Sequence, residues 1–250
     1  MPTKPTGAKN YGSIPHLPNS RMGPADHACP DGMQRIATEK LRSKHDRVVV
    51  QEKLDGTNVG VAKVEGEIIA LQRSGYPAAT SPYEQHNHFA QWVERQYQRF
   101  DELLEDGERI CGEWLLQAHG TRYILKHEPF VAFDIMSGSK RGVYEEFLLR
   151  VTPLDFVTPY TVHQGGPLSV EAALEAIGTY GHHGAQDQIE GAVWRVEVNR
   201  QVRPGQSEAR KWGVDFLVKY VRPDKVDGHF LPAISGKGIV WNLTPQELFQ

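Results

Sequence analysis

Residues 52–58 read Glu52-Lys53-Leu54-Asp55-Gly56-Thr57-Asn58. The apolar run Val48-Val49-Val50 precedes them, and loose alternation from Thr57 to Val64 follows. This pattern predicts a strand ending at Lys53, a glycine-containing turn and a second strand. Burial at a strand end desolvates an ammonium and lowers its pKa. A neutral lysine amine is a nucleophile that can form a covalent adduct. Gly56 would let the backbone pass close to a ligand, and Asp55 and Asn58 add a carboxylate and an amide. A plain strand end accounts for the same string, since Lys-x-Asp-Gly arises by chance in roughly one in twenty chains of this length.

Outward from this string, Glu65-Gly66 reads as a turn and Glu67 to Gln72 as the return strand of a hairpin. Residues 83–106 predict one helix, with Phe89, Trp92, Val93, Tyr97, Phe100, Leu103 and Leu104 at helical spacing and Gly107 as its cap. Such a stripe reads as core packing. Strand-like runs follow at 109–116, 130–136, 156–162, 189–198 and 214–221. Ser169 predicts a capped helix over 170–177, and Thr244-Pro245-Gln246-Glu247 a capping box. Many strands with few, separated helices indicate an α+β fold of mainly antiparallel sheets with flanking helices. The organisation expected is an irregular N-terminal segment over 1–47, a main domain over 48–225, and a short tail with a small helix over 226–250.

The chain has 250 residues and a formal net charge of −3. No apolar run approaches the roughly 20 residues that span a bilayer, and the first residues lack the apolar stretch of a signal peptide. The two cysteines are too few for a disulfide framework or a zinc cluster. A cytoplasmic location is the expectation. None of the eleven histidines has zinc-site spacing. Charge is unevenly spread. Residues 1–50 and 195–225 each carry eight Lys/Arg against four Asp/Glu, whereas residues 51–194 carry eleven against twenty-one. The basic ends permit a phosphate-binding surface, although on charge alone simple solvated faces are the better explanation.

Further strings recur along the chain. Arg73 lies twenty residues past Lys53, in Leu71-Gln72-Arg73-Ser74-Gly75. Then come Gly112-Glu113-Trp114, Phe130-Val131-Ala132-Phe133-Asp134-Ile135, Glu190-Gly191-Ala192-Val193 and Val218-Lys219-Tyr220-Val221-Arg222. In this order they resemble motifs I, Ia, III, IIIa, IV and V of the covalent nucleotidyltransferases, the superfamily of ATP-dependent ligases and capping enzymes. Glu-Lys-x-Asp-Gly-Thr-Asn is most similar to the RNA ligase 2-like branch. His16-Leu17-Pro18-Asn19-Ser20-Arg21 also resembles an N-terminal stretch of some bacterial and phage RNA ligases.

The resemblance implies a nucleotidyltransferase (ATP-grasp-like) domain that binds ATP with Mg²⁺ or Mn²⁺. It implies sealing of 3′-OH and 5′-phosphate RNA ends, on nicked duplex, single strands or RNA–DNA hybrids, with a helper protein or domain not excluded. Lys53 would attack the α-phosphate and carry AMP, and Lys219 would contact that phosphate. Arg73 would bind a phosphate, most plausibly the acceptor strand's. Glu113 would take the ribose, Phe133 would stack on adenine, and Glu190 would hold the metal. Asn58 would orient phosphate, with Glu52, Asp55 and Gly56 completing the nucleotide site. By residue type alone, Phe133 reads as core, Glu113 and Glu190 as half-exposed strand carboxylates, and Arg73 as a surface arginine.

The family often has two lysines around motif V, one residue apart; here Val221 follows Lys219 two places on and Arg222 comes next. A DNA ligase or a GTP-using capping enzyme is the alternative within the superfamily. Those proteins normally add an OB-fold domain, and about 28 residues after Arg222 are too few for that barrel. A non-catalytic nucleic-acid-binding module is the alternative of another class, and it would have no need of the nucleophile.

Overall fold

The computed structural model describes residues 2–201 and 210–250; residues 202–209, within the basic segment 195–225, lie outside the described residues. In chain order the elements are α1 (Asp31–Thr38), β1 (Arg47–Lys53), β2 (Thr57–Val64), β3 (Glu67–Gln72), α2 (Glu84–Arg95), α3 (Tyr97–Leu103), β4 (Glu108–Trp114) and β5 (Phe130–Ser137). The two-residue β6 (Lys140–Arg141) and α4 (Tyr144–Val151) follow, then β7 (Thr161–Gly165), α5 (Val170–Ile177), β8 (Gly191–Gln201), β9 (Arg210–Val221), α6 (Pro232–Ser235) and α7 (Pro245–Leu248).

The strands form two antiparallel sheets, ordered β7-β1-β8-β9 and β3-β2-β4-β5-β6. This is the α+β architecture the pattern predicted. Only the Leu54–Gly56 link separates β1 in one sheet from β2 in the other. The Lys-Leu-Asp-Gly string is therefore the hinge line between the sheets.

Alternation along β1 sorts its valines. Val49 joins an aromatic core with Phe89, Trp92, Phe100, Trp114 and Phe130, built around α2, α3 and α4. Val48 and Val50 point the other way, into a second core with Ala37, Ile177, Trp194 and Val218 under α1 and α5. Two cores, one on each face, fix the register of β1, because a one-residue slip would exchange every side chain.

Several local expectations were altered by packing. The helix expected over 83–106 is two helices, broken at Gln96, whose φ of −100° and ψ of 14° leave the helical basin. The strand expected at 156–162 begins only at Thr161; Asp155 turns the chain at φ 55° and drops Phe156 into the aromatic core. The segment 1–47 is not wholly irregular, since α1 lies within it. α4 was also unforeseen, although Tyr144, Phe147, Leu148 and Val151 have helical spacing. Both expected caps are present. Ser169 accepts the Ala172 N–H, and Thr244 and Glu247 form a reciprocal box. The β2–β3 turn has positive φ at Glu65 and Gly66, as a tight hairpin requires. No helix among the described residues is long and apolar enough to cross a membrane.

Candidate active site

Lys53 is the last residue of β1 and pairs with Gly191, the first of β8. That register sets Lys53 beside Glu190, and their side chains meet at 2.6 Å, Nζ to Oε2. Val193 pairs with Gln51 on one side and Lys219 on the other. Gln51 and Lys53 share a face, so Lys219 projects from the same side of the sheet. Glu113 comes from the second sheet, opposite Asn58, and accepts the Gly56 N–H at 3.1 Å. Three strands of one sheet and one of the other thus converge on one ammonium.

The electrostatics reverse the expectation for Lys53. Burial does pull its pKa down, but Glu190, Glu113 and Asp55 together outweigh it and hold it above the ordinary value. The resting residue is an ammonium paired to carboxylates, with about a fifth (21%) of its side chain exposed. Burial pushes the Glu113 carboxyl up to about 7; Lys53 opposes this and Glu190 reinforces it. Glu190 is likewise raised by burial, against Lys53. Lys219 is lowered, first by burial and then by the neighbouring Lys53 charge, with Asp26 and Glu190 opposing. The site is therefore a crowded charge cluster with carboxylates poised to gain a proton or a cation.

The other expected residues divide. Phe133 is half-buried on β5, meeting Tyr11 edge-to-face at 5.0 Å. Asn58 accepts a hydrogen bond from the Asn10 amide at 3.3 Å. Arg73 is exposed just past the Val59–Gln72 pair, and its carbonyl accepts the Asn10 N–H. Asn10 thereby ties both residues to one edge of the cleft. Asp55 is buried, its Oδ2 committed to the Gly120 N–H at 3.0 Å, to Thr121 at 3.2 Å and to Lys225 at 3.1 Å. Gly56 is required by protein rather than ligand, since a Cβ there would lie 2.5 Å from the Trp114 carbonyl oxygen.

Glu52 is a correction. Strand alternation turns it to the opposite face from Lys53. There it is buried, accepts the His182 N–H at 2.9 Å, and burial pushes its carboxyl up to about 7. Arg222 also points away from Lys53, to Gln188, Asp224 and the Ile189 carbonyl.

Two polar side chains at the site were not singled out in the sequence. Lys225 is buried against Asp55, Thr121 and two carbonyls, and its charge favours the ionised form of Glu190. No spacing rule would have found it, because the chain leaves β9 at Val221 and turns back. His119 shares the hydroxyl of Thr57 with Gln85 at 2.8 Å. Glu190 and Glu113 offer hard oxygen donors to a divalent cation. No group of three or more His, Cys, Asp or Glu that could cage a metal occurs among the described residues. The donor set fits an ion that shares its coordination with ligand oxygens and water.

Comparison with known proteins identifies the fold and the family. The fold is similar to the Naegleria gruberi RNA ligase. A ligand-free mutant of that protein aligns over 89% of this chain and 61% of its own, at 13% identity and a TM-score of 0.50. Another, solved with AMP and Mn, aligns over 88% and 61%, at 15% identity and a TM-score of 0.50. The chain thus spans about three fifths of the length of those ligases. An uncharacterized protein of Methanocaldococcus jannaschii is 55% identical over 49 residues, 19% of this chain and 12% of that protein. A family model described as RNA ligase matches residues 46–221, well over half of the chain and a span that includes Lys53 and Lys219. The chain belongs to the RNA ligase family.

Proposed function

We propose that the chain is an ATP-dependent RNA ligase that joins 3′-OH and 5′-phosphate ends through a lysyl-AMP intermediate on Lys53. The observation that carries this reading is the convergence of Lys53, Glu190, Glu113 and Lys219 from two sheets onto one point. Lys53 Nζ attacks the α-phosphorus of ATP; an N–P bond forms and the P–O bond to pyrophosphate breaks. AMP then passes to the 5′-phosphate of RNA, and a 3′-hydroxyl displaces it to seal the strand.

Each residue contributes a definable term. Lys219 presents a point charge to the α-phosphate oxygens, where negative charge is concentrated in the transition state. Phe133 offers a ring for the adenine, Glu113 an acceptor for the ribose, and Arg73 with Asn58 a phosphate contact at the cleft edge. Glu190 holds Lys53 as an ammonium in the resting state. A Mg²⁺ or Mn²⁺ ion held by Glu190 would neutralise that countercharge and let burial favour the nucleophilic amine. The AMP and Mn in the Naegleria ligase structure support this choice of nucleotide and metal class.

The test is label transfer. Wild-type protein incubated with α-labelled ATP and a divalent cation should retain label after denaturation, and Lys53→Ala should show none. Absence of label from wild type would sink the reading. A ligation panel of nicked RNA, single-stranded RNA and RNA–DNA hybrids then assigns the strand substrate.

A further inference from the structure

The N-terminal segment reaches Lys219 through both backbone and side chains. The Pro15 carbonyl accepts the Lys219 N–H at 3.0 Å, and the Leu17 N–H donates to the Lys219 carbonyl at 2.8 Å. Arg21 repeats the pattern two residues on, donating its N–H to the Val221 carbonyl at 2.9 Å. This stretch is therefore docked along the edge of β9 at the residue proposed to contact phosphate.

The side chains form a relay. Lys219 Nζ lies 3.4 Å from Asp26 Oδ1, and the same oxygen lies 3.3 Å from His16 Nε2. His16 Nδ1 is 2.6 Å from the Ser20 hydroxyl, which accepts the Val221 N–H at 2.9 Å. The other oxygen of Asp26 accepts the Gly23 N–H at 2.9 Å. His16 is only 1% exposed, so its ring cannot swing away from this arrangement.

A surface Lys–Asp contact at this distance would by itself mean little. Here a backbone N–H anchors one oxygen of the carboxylate, a buried imidazole stands 3.3 Å from the other with no further partner for its Nε2, and the lysine is desolvated beside another cation, Lys53. Lys53 and Lys219 repel each other across the cleft. Asp26 is the anion that offsets this from the N-terminal side, and Glu190 does so from the β8 side.

We propose that Asp26, held by His16, is a positioning residue that aims the Lys219 ammonium into the cleft for the α-phosphate. The residues His16 to Arg21, which no motif of the nucleotide site includes, are thereby part of the adenylylation machinery. This rests on the reading of Lys219 as the phosphate contact. Asp26 itself touches no reacting atom.

The experiment measures Lys53-AMP formation in the full chain, with rate, KM for ATP and final label per protein recorded separately. Asp26→Asn should lower kcat about tenfold, the scale of a slightly misplaced catalytic group. KM should stay within about twofold and the final label should be that of wild type, since a positioning defect slows turnover without removing sites. Asp26→Glu should restore most of the rate. His16→Asn sets an amide atom near the Nδ1 position facing Ser20 and nothing toward Asp26, so it should slow the reaction. His16→Gln keeps the group facing Asp26 and should not. The histidine pair reads the same relay if Asp26→Asn fails to fold. Wild-type kcat in Asp26→Asn would overturn the inference. So would a fall in final label matched to the fall in rate, without recovery in Asp26→Glu. Lys219→Ala separates the two claims: a wild-type rate there defeats the phosphate role of Lys219, whatever Asp26 does.

Discussion

Two ion pairs of the same length differ in kind in this molecule, one enclosed and one half-buried. Arg195 meets Asp134 at 2.6 Å across the two sheets, and Lys53 meets Glu190 at 2.6 Å at the mouth of the cleft. Asp134 is wholly enclosed and both its oxygens are used: one by Arg195, the other by the Tyr11 hydroxyl at 2.6 Å and Arg141 at 3.3 Å. Arg195 also caps the Gly142 and Phe133 carbonyls. The Lys53 pair keeps solvent access, and Glu113 competes for the same ammonium. The Asp134 carboxylate has no oxygen left for a ligand and holds the sheets together, although Arg195 Nε has no partner. An unsaturated pair can exchange its partner, which is what a nucleophile must do.

The sharpest break of this comparison is in stability. Asp134→Ala strands the Arg195 guanidinium in a dry interior and should cost about 3–5 kcal/mol. For a chain of this size that is a fall in Tm of more than about 6 °C. Lys53→Met should cost about 1 kcal/mol or less, because Glu190 is near solvent and already inclined to take a proton. Thermal unfolding of both variants decides it. Equal losses would mean that the Lys53 pair is structural as well.

The sequence displayed the parts of this contrast unequally. Lys53, Glu113, Glu190 and Lys219 were legible through the resemblance to ordered family motifs, because each motif is a short contiguous string. The sequence could not separate Asp134 from Phe133, which are adjacent but have different fates: Asp134 is locked inside the inter-sheet network and Phe133 is half-buried against Tyr11. It also could not show that Lys53 rests charged, since that depends on Glu190 meeting it at 2.6 Å and on Glu113 arriving from the other sheet. Asp26 and Lys225 were invisible for the same reason. Both sit in irregular chain, and only tertiary structure says where irregular chain goes.

Glu52 sharpens the comparison from the other face of β1. It is a buried carboxyl with one N–H donor and no cation, and its Oε1 lacks a partner. Its pKa is pushed up to about 7 by burial, against an ordinary 4.5. Between those values the folded chain holds a proton that the unfolded chain has lost, so stability declines as pH rises through that window. Below pH 4.5 there is no cost; above pH 7 the full cost is about 3 kcal/mol. Glu52→Gln should therefore raise Tm at pH 8 and leave it unchanged at pH 4. A pH-independent gain would point to packing rather than ionisation.

The smallest effect concerns the second cation after β9. Arg222 and Lys225 are three residues apart and both buried, but only Lys225 faces the site, gripping Asp55 and favouring the Glu190 carboxylate. Arg222 is spent on Asp224, Gln188 and a carbonyl on the far side. Two places after Lys219 stands Val221, and the cation that reaches Asp55 comes from Lys225, six places on. Lys225→Met should lower the rate of Lys53-AMP formation about tenfold, or about 1.4 kcal/mol in the barrier. Arg222→Met should change it less than about threefold, since it removes no charge from the cleft. If the two variants exchange ranks, the side chain directed away from Lys53 is the functional one. The distinction between saturated and open charge would then fail at the place where it makes its finest cut.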